Sequence, residues 1–213
     1  NEADVKASDI RPADPQGFNL NVQLLKQRIP LHLPFLGACN IYNALAAMAT
    51  GYSLGIEPDN IKAGLRNTKL LPNRYEITKH GGATIINDSY NANPRSMQEA
   101  LKTLTNYQCE GRRFFVMGDM LELGDLAELA HMKLGTDITK YPIDYLVAVG
   151  ELSAHAVKSA IASGMDKKQT ATASEHGCAV AFIKKHVLPG DCLLVKGSRG
   201  SRMEEVVERL TAC

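Results

Sequence analysis

The densest run of chemically able side chains is Lys196-Gly197-Ser198-Arg199-Gly200-Ser201-Arg202, three cations and two hydroxyls in one short stretch. It follows an apolar run and opens an amphipathic one, which places it at a strand-to-helix junction. There, free backbone N–H groups and the helix dipole favour an anion. The same residues also suit a solvated basic turn, and Glu204 and Glu205 fit simple first-turn dipole effects. No G-x-x-x-x-G-K-[ST] order occurs here or elsewhere in the chain, so it contains no phosphate loop of that kind.

A second candidate is Asp88-Ser89-Tyr90-Asn91-Ala92-Asn93-Pro94, whose short polar side chains serve caps, turns and ligand hydrogen bonds alike. Asn93 before Pro94 reads as a helix cap. Residues 74–79 and 83–88 flank His80-Gly81-Gly82 as a β-hairpin, which makes Arg74 and Asp88 neighbours. That pair is either a surface ion pair worth ~0–1 kcal/mol or a phosphate-binding arginine beside a carboxylate that holds ribose hydroxyls. Asn40 and Asn43 share one helix face. They are surface amides or an adenine-reading pair, since an amide matches adenine donor to acceptor. Asp119 with Glu122 reads as capping, and His131 and His155 as structural or surface histidines without partners at metal spacing.

These groups need elements to hold them. Phe18, Leu20, Val22 and Leu24 alternate with polar residues, as do Ile29, Leu31 and Leu33, so an extended region (1–36) contains a hairpin with Pro30 and Pro34 at an edge. Ile41, Ala44, Leu45 and Met48 then give a helix over 38–54, and Pro58 opens another to about 65. The chain breaks at Leu70-Leu71-Pro72-Asn73, giving domains 1–71 and 72–213. From Pro94, helices at 94–107, 124–139, 152–163, 174–187 and 201–211 alternate with short apolar strands at 113–117, 144–149, 170–173 and 191–196. That pattern is an α/β fold with a mostly parallel sheet covered on both faces. Three strands end in glycine, at Gly118-Asp119, Gly150-Glu151 and Gly197-Ser198. In such a sheet the ligand crevice lies beyond the carboxyl ends of the strands, and glycine admits a ligand or a neighbouring backbone.

Composition excludes several classes. The 213 residues are 45% hydrophobic and 22% charged with net charge +1, so no global charge draws the chain to nucleic acid or membrane. Cys39, Cys109, Cys178, Cys192 and Cys213 form no metal-ligand or Cys-x-x-Cys spacing, which fits a reducing compartment. With no signal peptide and no membrane-length apolar run, the chain reads as cytosolic. It begins at Asn1 in mid-stride, as a fragment would.

Several segments together resemble the Mur ligases. Gly37-Ala38-Cys39-Asn40-Ile41-Tyr42-Asn43-Ala44-Leu45-Ala46-Ala47 is similar to the G-x-H-N-x-x-N-x-x-A-A segment closing their central domain. Asn73-Arg74-Tyr75-Glu76 looks like the G-R-x-E segment opening their third domain. Asp88–Pro94, Gly118-Asp119-Met120-Leu121-Glu122-Leu123-Gly124 and Lys196-Gly197-Ser198-Arg199 resemble motifs of the branch that adds D-alanyl-D-alanine. The order and spacing agree from about residue 30 to the end. The resemblance implies a Rossmann-like closing domain preceded by the end (strands plus helices) of a central ATP-binding domain. It implies part of an ATP-dependent ligase that joins D-alanyl-D-alanine to UDP-N-acetylmuramoyl-tripeptide through an acyl phosphate. By position, Arg74 is the catalytic cation and Asn40, Asn43, Arg74, Asp88 and Asn91 contact ATP. Ser89, Tyr90, Asn91, Asn93, Lys196, Ser198 and Arg199 face the substrates. The phosphate loop, the Mg2+ ligands and a carbamylated lysine are implied upstream of residue 1, so the fragment alone is expected to be inactive; the protein is expected to be a monomer. Two departures stand out: Cys39 replaces a usual His, and Asn73 replaces a usual Gly. The competing readings are a non-catalytic Rossmann-like module for an anion or nucleotide, and a Mur ligase adding another amino acid. The Tyr90–Asn93 loop argues against the latter.

Overall fold

The computed structural model of the chain describes residues 3–13 and 16–212; Asn1 and Cys213, noted in the sequence, lie outside them. Two compact units divide the chain, Asn1–Leu70 and Leu71–Cys213.

The first unit has an antiparallel sheet of three strands in the order β1 (Val5–Pro12), β2 (Phe18–Leu24), β3 (Gln27–Leu33). Helices α1 (Cys39–Ser53) and α2 (Pro58–Asn67) follow it. The alternation noted in the sequence buries Leu20, Val22, Leu24, Ile29, Leu31 and Leu33 with Ile41, Ala44, Met48 and Ile61. At about 1.5–3 kcal/mol per fully buried large aliphatic side chain, this apolar layer supplies most of what holds the unit together. Pro30 lies on edge strand β3, where a missing N–H costs no interior ladder bond. β1 carries no clean alternation because its register slips between Ser8 and Arg11, where Asp9 takes a φ of +52°.

The second unit is an α/β layer structure. Its six strands run in the order β4 (Glu76–His80), β5 (Ala83–Asp88), β9 (Cys192–Lys196), β6 (Arg113–Gly118), β7 (Tyr145–Val149), β8 (Thr170–Ala173). All neighbours are parallel except the β4–β5 hairpin. Phe114 to Met117 and Leu194 to Val195 are completely buried, as strands covered on both faces must be. Helices α3 (Pro94–Asn106), α4 (Ala127–Ile138) and α5 (Ser153–Ala162) connect β5, β6, β7 and β8 in order along one face. α6 (His176–His186) returns the chain to the middle of the sheet and packs with α7 (Glu204–Thr211) on the other face. Among the described residues no helix is long and apolar enough to cross a membrane.

One element departs from expectation. The chain after β9 does not enter a helix at residue 201. A 3-10 turn at Arg199–Ser201 ends in Arg202 at φ +48°, and α7 begins only at Glu204. The basic run therefore occupies a left-handed corner ahead of the helix, not its first turn.

Candidate active site

The return of the chain to the middle of the sheet decides the site. β9 lies between β5 and β6, so the segment leaving it emerges between the segments leaving those two strands. Register places Lys196 directly beside Asp88 on one side and Met117 on the other. Lys196 Nζ donates to Asp88 Oδ2 at 2.6 Å and to the Asn91 carbonyl at 2.8 Å, with both residues almost fully buried. Ser198 completes the joint. Its N–H donates to the Asp119 carbonyl at 3.0 Å, its Oγ donates to the Ala92 carbonyl at 3.2 Å, and that Oγ accepts the Leu121 N–H at 2.9 Å. Ser201 Oγ adds a bond to the Asp119 carbonyl at 2.9 Å. Three loops, 88–94, 118–124 and 196–202, are thus knotted into one body.

The glycine-tipped strands serve this joint. A Cβ on Gly118 or Gly197 would meet the Met203 side chain at 2.7 and 2.5 Å, and one on Gly150 would meet the Asp119 carboxylate at 2.4 Å. The close approach they permit is to the chain's own atoms. Asp119 Oδ1 in turn accepts the Ser153 N–H at 2.7 Å, capping α5.

At the hairpin, the ladder pairs Glu76 with Asn87, one step away from the pairing that would set Arg74 opposite Asp88. Of the two readings of the neighbours Arg74 and Asp88, the ion pair is corrected: Asp88 is paired with Lys196, and Arg74 lies over the Tyr90 ring, 4.0 Å from its centroid. Burial raises the Asp88 carboxyl above the usual range, against the pull of Lys196, of Arg74 at longer reach and of the Tyr75 N–H. Arg199 approaches the same ring at 5.4 Å, so Tyr90 carries two guanidinium groups. Both arginines are exposed and neither has a carboxylate partner among the described residues. Arg202, counted with them in the sequence, is tied to Glu205 at 2.9 Å.

The candidate residues divide accordingly. Asp88, Ser89, Lys196 and Ser198 are buried and bonded within the chain; Arg74, Asn91, Asn93 and Arg199 are exposed and Tyr90 is half-buried. Ser89, expected to face substrate, instead donates its hydroxyl to Asn87 Oδ1 at 2.6 Å. Asn93 caps α3, accepting the Ser96 N–H at 2.8 Å in a reciprocal capping box. His131 is structural: its Nε2 accepts the Met120 N–H and its Nδ1 lies 2.7 Å from the Ala127 carbonyl. In the first unit, Asn40 donates to the Leu36 carbonyl at 2.7 Å and accepts from Asn43 at 3.1 Å, leaving Asn43 the outer, exposed amide.

Sequence reasoning missed Asn87, a buried amide that donates to Asn73 Oδ1 at 2.9 Å. Asn73 sits at φ +63° and accepts the Tyr90 N–H on its carbonyl at 3.1 Å. Asparagine is among the few side chains that tolerate that backbone, which explains its standing in for glycine there. It clasps the hairpin entrance that carries Arg74 to the loop that carries Tyr90. The left-handed demand of the position was the available signal.

Residues 73–199, more than half of the chain, match the family model described as Mur ligase, glutamate ligase domain. The chain belongs to the Mur ligases. Among its curated relatives, the UDP-N-acetylmuramoyl-tripeptide–D-alanyl-D-alanine ligase of Bacillus subtilis is 37% identical over 84% of this chain and 39% of its own length. The corresponding ligase of Escherichia coli is 36% identical over 98% of this chain and 44% of its own. A crystal structure of MurF from Acinetobacter baumannii superposes with TM-score 0.87 at 32% identity, covering 99% of this chain and 46% of that one. The chain thus spans about two-fifths of the length of these Mur ligase relatives. The matched segment begins at Asn73, the clasp residue, and ends at Arg199, the second cation over Tyr90.

Proposed function

We propose that this chain is the carboxyl-terminal part of an ATP-dependent ligase that joins D-alanyl-D-alanine to UDP-N-acetylmuramoyl-tripeptide in the cytoplasm. The observation that carries the reading is the pair of exposed guanidinium groups, Arg74 and Arg199, on Tyr90 above a buried Lys196–Asp88–Ser198 joint. Such a surface offers fixed positive charge with no carboxylate at ion-pair distance from either guanidinium among the described residues. It suits ligands bearing phosphate and carboxylate groups.

In the reaction, a carboxylate oxygen of the tripeptide takes the terminal phosphoryl group of ATP, giving an acyl phosphate and ADP. The amine of D-alanyl-D-alanine attacks the acyl carbon, phosphate leaves with the bonding pair, and the nitrogen loses a proton to give the amide. Arg74 meets the charge on the transferred phosphoryl group. Arg199 holds the dipeptide carboxylate, with Tyr90 and Asn91 beside it. Asn43 reads adenine, steadied by Asn40. Lys196, Ser198 and Ser89 position these groups from within, and Asn93 does so from the start of α3. Asp88 is given a positioning role as well, because a carboxylate only 6% exposed and already bonded to Lys196 has little left for ribose.

The described residues bring together no group of three or more His, Cys, Asp or Glu side chains able to hold a metal. Mg2+ is part of this proposal, with ligands expected upstream of residue 1, and no step is written through it. The choice of D-alanyl-D-alanine over another amino acid rests on the two curated relatives above.

The test is amide formation by the complete ligase, supplied with ATP, the UDP-tripeptide and D-alanyl-D-alanine. Product that requires all three supports the reading; consumption of a different amine, or none, refutes it. The 213-residue chain alone, with no phosphate-loop sequence, is expected to give no product.

A further inference from the structure

At the amino-terminal ends of the parallel strands, away from the loops above, two cysteines from distant parts of the chain meet. Cys109 lies between α3 and β6, and Cys192 is the first residue of β9. The Cys109 thiol approaches the carbonyls of Gly111 (3.3 Å), Arg112 (3.6 Å) and Gly190 (3.6 Å). The Cys192 N–H donates to that same Arg112 carbonyl at 2.9 Å, so the Cys109 thiol and the Cys192 backbone share one acceptor.

The backbone on both sides is fixed. Asp191 accepts the Arg112 N–H at 2.8 Å, the Arg112 guanidinium at 2.7 Å and the Leu188 N–H at 2.7 Å. The pair is asymmetric: Cys109 is half-buried, whereas Cys192 is 1% exposed. Burial, with Cys109 as the next cause, pushes the Cys192 thiol far above the usual thiol range, which leaves the half-buried Cys109 as the first of the two to meet an oxidant.

We propose that Cys109 and Cys192 are an oxidative modification site, at which a hydroperoxide-class oxidant closes an intrachain disulfide. The Cys109 sulfur attacks the peroxide, the O–O bond breaks, and Cys109 becomes a sulfenic acid while the peroxide's other oxygen leaves as water or alcohol. The Cys192 sulfur then attacks Cys109 Sγ. The S–O bond breaks, and hydroxide leaves as water with the Cys192 proton. The two sulfurs lose two electrons in all and the peroxide gains them.

The test uses the folded chain, hydrogen peroxide in slight excess, alkylation of remaining thiols, and tryptic mass spectrometry without reductant. The expected product is residues 103–112 linked to 186–196, lighter by two hydrogens than the two peptides together. The exposed Cys39 and Cys178 serve as internal comparison. In Cys192→Ser, Cys109 is expected to stop at a sulfenic acid trapped by dimedone. In Cys109→Ser, which alters the more exposed partner, Cys192 is expected to remain reduced under the same dose. The proposal is overturned if Cys109 goes to the sulfinic acid in the unaltered chain without the linked peptide. It is equally overturned if the linked peptide forms only in denaturant, or if Cys192 oxidises as fast when Cys109 is replaced.

Discussion

Replacing Lys196 with methionine keeps most of the side chain's volume and removes its charge. The side chains of Lys196 and Asp88 are only 4% and 9% exposed, so the change leaves a buried carboxylate without its bonded counter-ion. Removing one partner of such a pair costs about 3–5 kcal/mol. The Asn91 carbonyl also loses its donor. The carboxyl of Asp88, already raised by burial, is raised further once Lys196 is gone, which fixes the sign of the pH dependence. A folded-state pKa above the unfolded one means that the folded variant holds its proton more tightly. Its stability is greatest below the ordinary carboxylate range and is lost as pH rises through the raised value. Lys196→Met is therefore expected to lose more stability at pH 8 than at pH 5. Because the chain has no tryptophan, urea unfolding is best followed by far-ultraviolet circular dichroism. Adding Asp88→Asn should restore at least about 2 kcal/mol of the loss at pH 8, the coupling expected of a buried pair. A cost below about 1 kcal/mol for Lys196→Met, or simple additivity in the double variant, would refute the assignment. Lys196 would then be free for a ligand.

Other consequences follow from the same contacts. Ser198→Ala leaves the Leu121 N–H and the Ala92 carbonyl without their side-chain partner. It is expected to cost about 1–3 kcal/mol, with faster hydrogen exchange at the Leu121 amide; unchanged exchange would show that the loops are held otherwise. Asn73→Gly keeps the left-handed backbone but loses the clasp to Asn87, whereas Asn73→Val loses both. The valine variant should be less stable by a further 1–3 kcal/mol or so in urea, and equal midpoints would contradict this. Asp191 would be raised by burial alone, but the Arg112 side chain and the Arg112 and Leu188 N–H groups outweigh that and lower it. Its contribution is complete above the ordinary carboxylate range and disappears as pH falls through the lowered value. Asp191→Asn should therefore flatten the acid limb of the stability curve, and an unchanged limb would assign acid sensitivity elsewhere.

Much of the second unit was legible because buried parallel strands are short apolar runs between amphipathic helices. The positions of β6, β7 and β9 show this. The neighbour order was not legible. That β9 returns between β5 and β6 is settled by packing across the whole sheet, so the adjacency of Asp88 and Lys196 leaves no local trace. Arg74 and Asp88 lie one register step from facing each other, which is enough to exchange the ion-pair partner while Arg74 still pulls on the Asp88 carboxyl. The hydroxyls of Ser89 and Ser198 look the same in sequence whether they face ligand or backbone, and both proved internal. Arg202 at positive φ, which delays α7, has no glycine or asparagine to announce it. The exposed arginines were recognised, and the ring they share emerged only with the fold.

The most direct test is the turnover of the complete ligase carrying Arg74→Ala, measured as phosphate released in the presence of all three substrates. A cation that meets charge developing on the transferred phosphoryl group should be worth about a hundredfold or more in kcat. The Arg74→Ala enzyme should therefore turn over at least a hundred times more slowly while unfolding at the same urea concentration as the unaltered protein. A folded variant whose kcat stays within about threefold would contradict the catalytic role given to this guanidinium.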